Sequence, residues 1–262
     1  MFYYYGGKRR LARFYPSPKH EVIVEPFAGA AAYSMRHLNP ATREGNVEQV
    51  VLVEKDPRVC ETWERLLKMN VSDLDEIRIP EPGERTSDFL LMTAACSNRI
   101  ARTDEMIVTK RMPTVIRRMF KQIAEVLPHA KGRVTVINDD YSEADDITAT
   151  WFVDPPYQVS LRAHARTDRP QGLGYARGCE SSELDHAALA QWCRRRKGQS
   201  IVCEQRGATW LPFQQFRSAR DSLGNFADEV LWLDPSSELP SQHQRKTRAT
   251  AQHDHLVAQP AI

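Results

Sequence analysis

The chain has 262 residues, 41% of them hydrophobic and 27% charged. Length and apolar fraction point to one generous α/β domain, or one domain with a small insertion, and exclude global disorder. The formal net charge of +2 hides segregation: residues 1–20 hold Lys8, Arg9, Arg10, Arg13 and Lys19 with no acid, residues 99–121 are strongly basic, and Arg194-Arg195-Arg196-Lys197 form a third basic block.

No apolar run approaches the ~18 residues of a membrane span. The aromatic, then basic N-terminus lacks the apolar core of a signal peptide. Five cysteines are scattered without CxxC spacing, so neither a disulfide framework nor a zinc site is expected, and no other metal constellation stands out. The expectation is a cytoplasmic protein without membrane or metal, working as a monomer.

In chain order, Val22-Ile23-Val24 is a β-branched run fit for a buried strand. An Ala-rich stretch from Ala30 to Leu38 follows and predicts a helix. Val50 to Val53 predicts a second strand. From Pro57 a helix fits, with Val59, Trp63, Leu66 and Leu67 at helical spacing. Strand, helix, strand, helix is the signature of a parallel sheet with right-handed crossovers. Residues 71–132 break that rhythm and read as a mostly helical insertion, with an amphipathic stripe over 115–127 that ends at Pro128. The sheet resumes with strands at 134–137 and 150–153. A helix over 183–197, a strand at 200–203 and a last strand at 230–233 follow. The polar stretch 236–262 reads as a frayed tail. The sheet domain is therefore expected to comprise residues 1–70 and 133–235, with 71–132 inserted as a helical region.

Asp154-Pro155-Pro156-Tyr157 directly follows a hydrophobic strand. Average composition produces this tetrapeptide by chance in roughly one chain of this length in a thousand. The carboxyl ends of strands are also where open α/β sheets bind ligands. Two prolines stiffen the turn and remove two backbone donors, leaving carbonyls without a competing N–H. An aspartate and a free carbonyl together accept both hydrogens of an exocyclic amino group, and Tyr157 offers a ring face to a flat base. The plainer alternative is a Pro-rich turn with a capping Asp.

Glu25-Pro26-Phe27-Ala28-Gly29-Ala30-Ala31 follows the first strand but lacks the several glycines that let a backbone approach a pyrophosphate. S-adenosylmethionine carries no phosphate, so small residues suffice. Glu54, at the end of the second strand, stands where a ribose-binding acid belongs. At the start, Tyr4-Tyr5-Gly6-Gly7-Lys8 combines a permissive backbone with aromatic rings and a lysine suited to a carboxylate and a purine.

Tyr-Gly-Gly-Lys, then Glu-Pro-Phe-Ala-Gly, then an acid after the next strand, then an inserted helical region, then Asp-Pro-Pro-Tyr: this order resembles the Dam-like class of DNA adenine-N6 methyltransferases, bacteriophage versions above all, over about residues 3–235. The resemblance implies a Rossmann-like methyltransferase sheet, mostly parallel, using S-adenosylmethionine on double-stranded DNA. It implies that Tyr4 and Lys8 contact the cofactor, with Lys8 near the methionine carboxylate. Phe27 and Gly29 would line the cofactor, Glu54 bind its ribose, and Asp140-Tyr141 lie near its adenine. Asp154 would sit between cofactor and target amine, with the Pro155 carbonyl as second acceptor and Tyr157 stacked on the flipped base. Two departures stand out: Ala where many relatives have a second Gly in the first turn, and Tyr4 where some have Trp. Arg162, Arg166, Arg169 and Arg177 are candidates for reading DNA, and a modification enzyme without a fused nuclease is the expectation. Rival readings are cytosine N4 or RNA adenine as target, or a catalytically silent DNA-binding scaffold.

Overall fold

The computed structural model describes residues 2–4, 6–95, 104–158, 179, 183–220 and 226–234. Arg99, Arg102, the four arginines of 162–177 and the 236–262 tail lie outside the described residues.

Strand β1 (Val22–Glu25) leads through a tight turn into helix α1 (Ala32–Leu38), then β2 (Gln49–Glu54) into α2 (Pro57–Lys68). Asp56 caps α2, its side chain accepting from the Arg58 N–H at 3.1 Å, and Pro57 opens the first turn. The stretch that follows carries α3 (Asp73–Glu76), β3 (Arg85–Thr86), α4 (Phe89–Thr93) and β4 (Met106–Ile107), then α5 (Met112–Ala130). β3 and β4 pair antiparallel in a small ladder of their own. β5 (Val134–Asn138), β6 (Thr148–Val153), α6 (His186–Arg194), β7 (Lys197–Gln205), β8 (Gln214–Arg220) and β9 (Phe226–Leu233) complete the order.

The sheet of seven strands runs β5-β2-β1-β6-β7-β9-β8. Only β9 is reversed: it pairs antiparallel with both β7 and β8, and the pairings from β5 to β7 are parallel. This is the mostly parallel, Rossmann-like α/β architecture expected from the sequence. Its central strands are buried on both faces, which is why they read as continuous β-branched and aromatic runs. Ile23, Leu52, Phe152, Ile201 and Leu231 face the side covered by α1, α2 and α5, whereas Val24, Val53, Trp151, Val202 and Trp232 face α6.

Several boundaries differ from expectation. α1 starts two residues late because Gly29 and Ala31 both take left-handed conformations. α5 runs past Pro128 to Ala130, since a proline in the last turn forfeits only one backbone bond. α6 is shorter at both ends: Asp185 caps it by accepting from Ala187 and Ala188, and Lys197 already belongs to β7. Strand β8 and the β3–β4 ladder were not anticipated. The stripe of α5 packs into the main core through Ile116, Met119, Ile123 and Leu127. No described helix is long and apolar enough to cross a membrane.

Candidate functional site

Strand order changes direction between β1 and β6: β2 and β5 lie to one side, β7 and β9 to the other. The crevice at that switch point, beyond the carboxyl ends of the strands, is the general ligand site of open α/β sheets. Here it is an open cleft of about 1230 Å³, part of it solvent space at its mouth. Tyr4, Lys8, Phe27, Gly29, Glu54, Asp140, Asp154 and Pro156 all line it, so residues 150 positions apart in sequence meet around one space. Pro155 is buried behind the wall.

The turn after β1 is fixed on several sides. Gly29 donates to the Glu54 carboxylate at 2.9 Å, and its carbonyl accepts from the Trp63 indole at 2.8 Å. Ala28 donates to the Val53 carbonyl at 3.1 Å. Gly29 has φ +45°, and a Cβ there would lie 2.9 Å from the Tyr4 ring, so the N-terminal aromatic rests on the bare face of this glycine. Ala31 takes φ +48° without glycine's freedom, a strained residue at the entrance to α1.

Glu25 caps α1 from within the sheet, its carboxylate accepting from the Ser34 N–H at 2.8 Å. The α1 N-terminus, where a phosphate would otherwise be held, is thus already satisfied by an internal acid. Burial raises the Glu25 pKa to about 8 against the opposing Ser34 hydrogen bonds. Beyond Glu25, which is mostly protonated at neutral pH, the cleft is lined by Glu54, Asp139, Asp140, Asp154, Glu183 and Asp185 against only Lys8 and Lys55. That balance repels a pyrophosphate and suits a ligand bearing positive charge. Glu54 also accepts from the Asp56 N–H at 3.0 Å, and burial raises its pKa. Opposite, Phe27 stacks on Tyr141 with centroids 5.3 Å apart, while Asp140 caps the turn at Ser142 and pairs with Lys55 at 3.6 Å.

Across the cleft, the Lys8 ammonium lies 2.9 Å from the Asp154 carboxylate and 3.2 Å from the Gly6 carbonyl, over the Tyr157 ring at 4.6 Å from its centroid. Burial works against that charge, but Asp154, Glu229 and Cys203 outweigh it and hold the lysine pKa above its ordinary value. The Tyr157 ring is half-buried; its hydroxyl is buried with no hydrogen-bond partner among the described residues, and burial keeps it neutral. The Pro156 carbonyl faces His186 Nε2 at 3.4 Å, and desolvation lowers the His186 pKa.

Three supporting residues were not singled out from the sequence. Glu204 accepts from Gln158 N–H and the Trp210 indole, both at 2.9 Å, and so ties down the chain just after Tyr157. Its signal was available: like Glu54, it is an acid that closes an apolar strand. Glu229 accepts from the Tyr15 hydroxyl and contributes to holding Lys8 charged. Nothing local marks it, because only the reversal of β9 brings it to this end of the sheet. Trp63 read as a core residue of α2, and its indole bond to the turn depends on the tertiary fold. Among the described residues no group of His, Cys, Asp and Glu is arranged to hold a metal ion.

Comparison with known proteins adds little. No family model matches the chain, and no curated protein matches it. Among solved structures, a Haemophilus influenzae protein provisionally described as a methylase aligns over 86% of this chain and 84% of its own, at 10% identity and a TM-score of 0.34. A likeness that weak carries no argument about function.

Proposed function

We propose that this protein transfers a methyl group from S-adenosylmethionine to N6 of adenine in DNA, as the Dam-like enzymes its motifs resemble do. The observation that carries the proposal is Asp154 at the end of β6, with Tyr157 behind it, facing an acidic cleft at the switch point of a mostly parallel sheet. The residues fit this cofactor on physical grounds. A capped helix N-terminus and a surplus of carboxylates disfavour a dinucleotide, and small residues from Ala28 to Ala32 line the floor.

In this reading Glu54 accepts from the ribose hydroxyls, Phe27 and Asp140 flank the adenine, and Tyr4 and Lys8 hold the amino-acid end. When bound, S-adenosylmethionine supplies an electrophilic methyl group on a sulfonium. The target base leaves the duplex, because its amino group is otherwise paired within the stack. Tyr157 stacks on the flipped base while Asp154 and the Pro155 carbonyl accept the two amino N–H groups. Those bonds leave the nitrogen lone pair directed at the methyl group, and the Asp154 carboxylate stabilises the positive charge that develops on nitrogen. The surplus proton leaves afterwards, so no prior deprotonation is required.

DNA as the partner draws support from the basic surface. Arg9 donates to Gln122 and so joins the N-terminal arm to α5, which exposes Arg117, Arg118 and Lys121. Among the described residues none of Arg9, Arg10, Arg13, Arg117, Arg118 or Lys121 pairs with a carboxylate. The third basic block is partly consumed internally: Arg196 lies over Trp192 and Trp151 and pairs with Asp146 at 3.3 Å, and Lys197 pairs with Asp146 at 2.9 Å.

The test is methyl transfer from labelled S-adenosylmethionine to unmethylated duplex DNA, followed by digestion to nucleosides. Label in N6-methyladenine is expected with wild type, and Asp154→Ala should lose at least about a hundredfold in turnover while still binding cofactor. Near-normal turnover in that variant would remove Asp154 from its role. Label in N4-methylcytosine or in RNA would change the substrate, and no label in any acceptor would leave a silent scaffold.

A further inference from the structure

The Lys8 ammonium, ion-paired with Asp154 at 2.9 Å and donating to the Gly6 carbonyl at 3.2 Å, has the Tyr157 ring 4.6 Å beneath it. Under the methyltransferase reading, on which this inference rests, that carboxylate and that ring belong to the amino-bearing base. Two nitrogens cannot share the one seat. We propose that Lys8 is a built-in stand-in for the substrate's amino group, which fills the base pocket of the cofactor-free protein and gives it up only when a carboxylate in the cleft takes its charge.

The physical argument is one of charge balance. Lys8 is 8% exposed and Asp154 only 18%, so this pair is screened far less than a surface ion pair. Withdrawing the lysine with nothing in exchange leaves a buried cation unpaired and strips Asp154 of its counter-charge. A neutral base hydrogen-bonds Asp154 through its amino group but does nothing for the unpaired lysine. A free carboxylate at the amino-acid end of a cofactor satisfies Lys8, and the base then satisfies Asp154. Lysine suits the exchange because its charge sits at the end of a flexible four-carbon stem. Cofactor therefore binds first and base second, and a cofactor fragment without a carboxylate leaves the pocket shut.

The experiment uses two ligands that both fill an adenosine site but differ at the amino-acid end: S-adenosylhomocysteine, which has the carboxylate, and 5′-methylthioadenosine, which lacks it. Deoxyadenosine and deoxycytidine binding to the full chain saturated with either ligand is followed by saturation-transfer NMR. At least one nucleoside is expected to bind about tenfold or more tightly with S-adenosylhomocysteine than with 5′-methylthioadenosine. Lys8→Met should bind it equally well with both, a gain on removing a side chain that a merely structural lysine would not give. If that variant does not fold, the wild-type pair of titrations decides alone. Equal affinity in wild type with both ligands, or no nucleoside binding with either, overturns the proposal and leaves the methyltransferase reading standing. Failure of both adenosine ligands to bind brings down that reading and this proposal together.

Discussion

Glu25 shows how much one buried side chain commits. It caps α1, lines the cleft, and has its pKa raised to about 8, chiefly by burial. The folded chain therefore holds this proton more tightly than the unfolded chain does. The resulting stabilisation is complete below the ordinary carboxyl pKa and is lost as pH rises through about 8. Glu204, raised to about 7 by burial, acts in the same direction. Thermal stability should thus decline between about pH 5 and pH 9, and Glu25→Gln, whose amide oxygen can still accept from Ser34, should flatten that decline by roughly 5 °C in calorimetry. An identical decline in the variant would assign it to other groups. Gly29→Ala tests the turn itself: the added Cβ meets the Tyr4 ring at 2.9 Å on a backbone of positive φ. It should weaken cofactor binding by about tenfold or more in a calorimetric titration, with roughly 1–2 kcal/mol lost from stability.

At the level of elements, what was legible follows burial. β1, β2, β5, β6, β7 and β9 were each visible as apolar runs because the sheet has helices on both faces. β8 was missed because it is an edge strand whose sequence, Gln214-Gln215-Phe216-Arg217, places a single large apolar residue inward. The β3–β4 ladder has two residues per strand, too few for any periodicity. The site follows the same logic. Asp154, Glu54 and the Glu25 turn each end an apolar run, so strand ends announced them, whereas Glu229 lies in the middle of β9 and needed the topology. Gly198 was equally silent in sequence. It has φ +98° in β7, and a Cβ would lie 2.4 Å from the Ala149 carbonyl of the adjacent strand. Gly198→Ala should force β6 and β7 apart and cost about 3 kcal/mol or more in urea unfolding. A loss below about 0.5 kcal/mol would show that the two strands tolerate the added methyl.

Over the whole molecule, near-neutral net charge coexists with a one-sided distribution of cations. Arg9, Arg10 and Arg13 of the arm and Arg117, Arg118 and Lys121 of α5 have no acidic partner among the described residues, while the cleft is acidic. Under the methyltransferase proposal, a polyanion would be held beside the site and kept from entering it except where a neutral base is presented. Binding to duplex DNA should weaken steeply with salt, with a slope set by the phosphates neutralised. Replacing Arg10, Arg13, Arg118 and Lys121 by alanine should lower that slope by up to ~4 in a fluorescence titration across salt concentrations. An unchanged slope would place the DNA on another face.

The bond between Tyr15 and Glu229 spans 214 positions of sequence, and it gives the molecule an order of assembly. Lys8 and Tyr15 are translated early, yet the carboxylate that steadies both arrives only with the last strand of the sheet. Until β9 has left the ribosome and inserted beside β7, the arm lacks one of its buried anchors. Closing so long a loop is slow, and ligand competence should appear late, in a single step at the end of folding. A nascent chain stalled before residue 226 would carry every motif described above without the carboxylate that helps hold Lys8 charged.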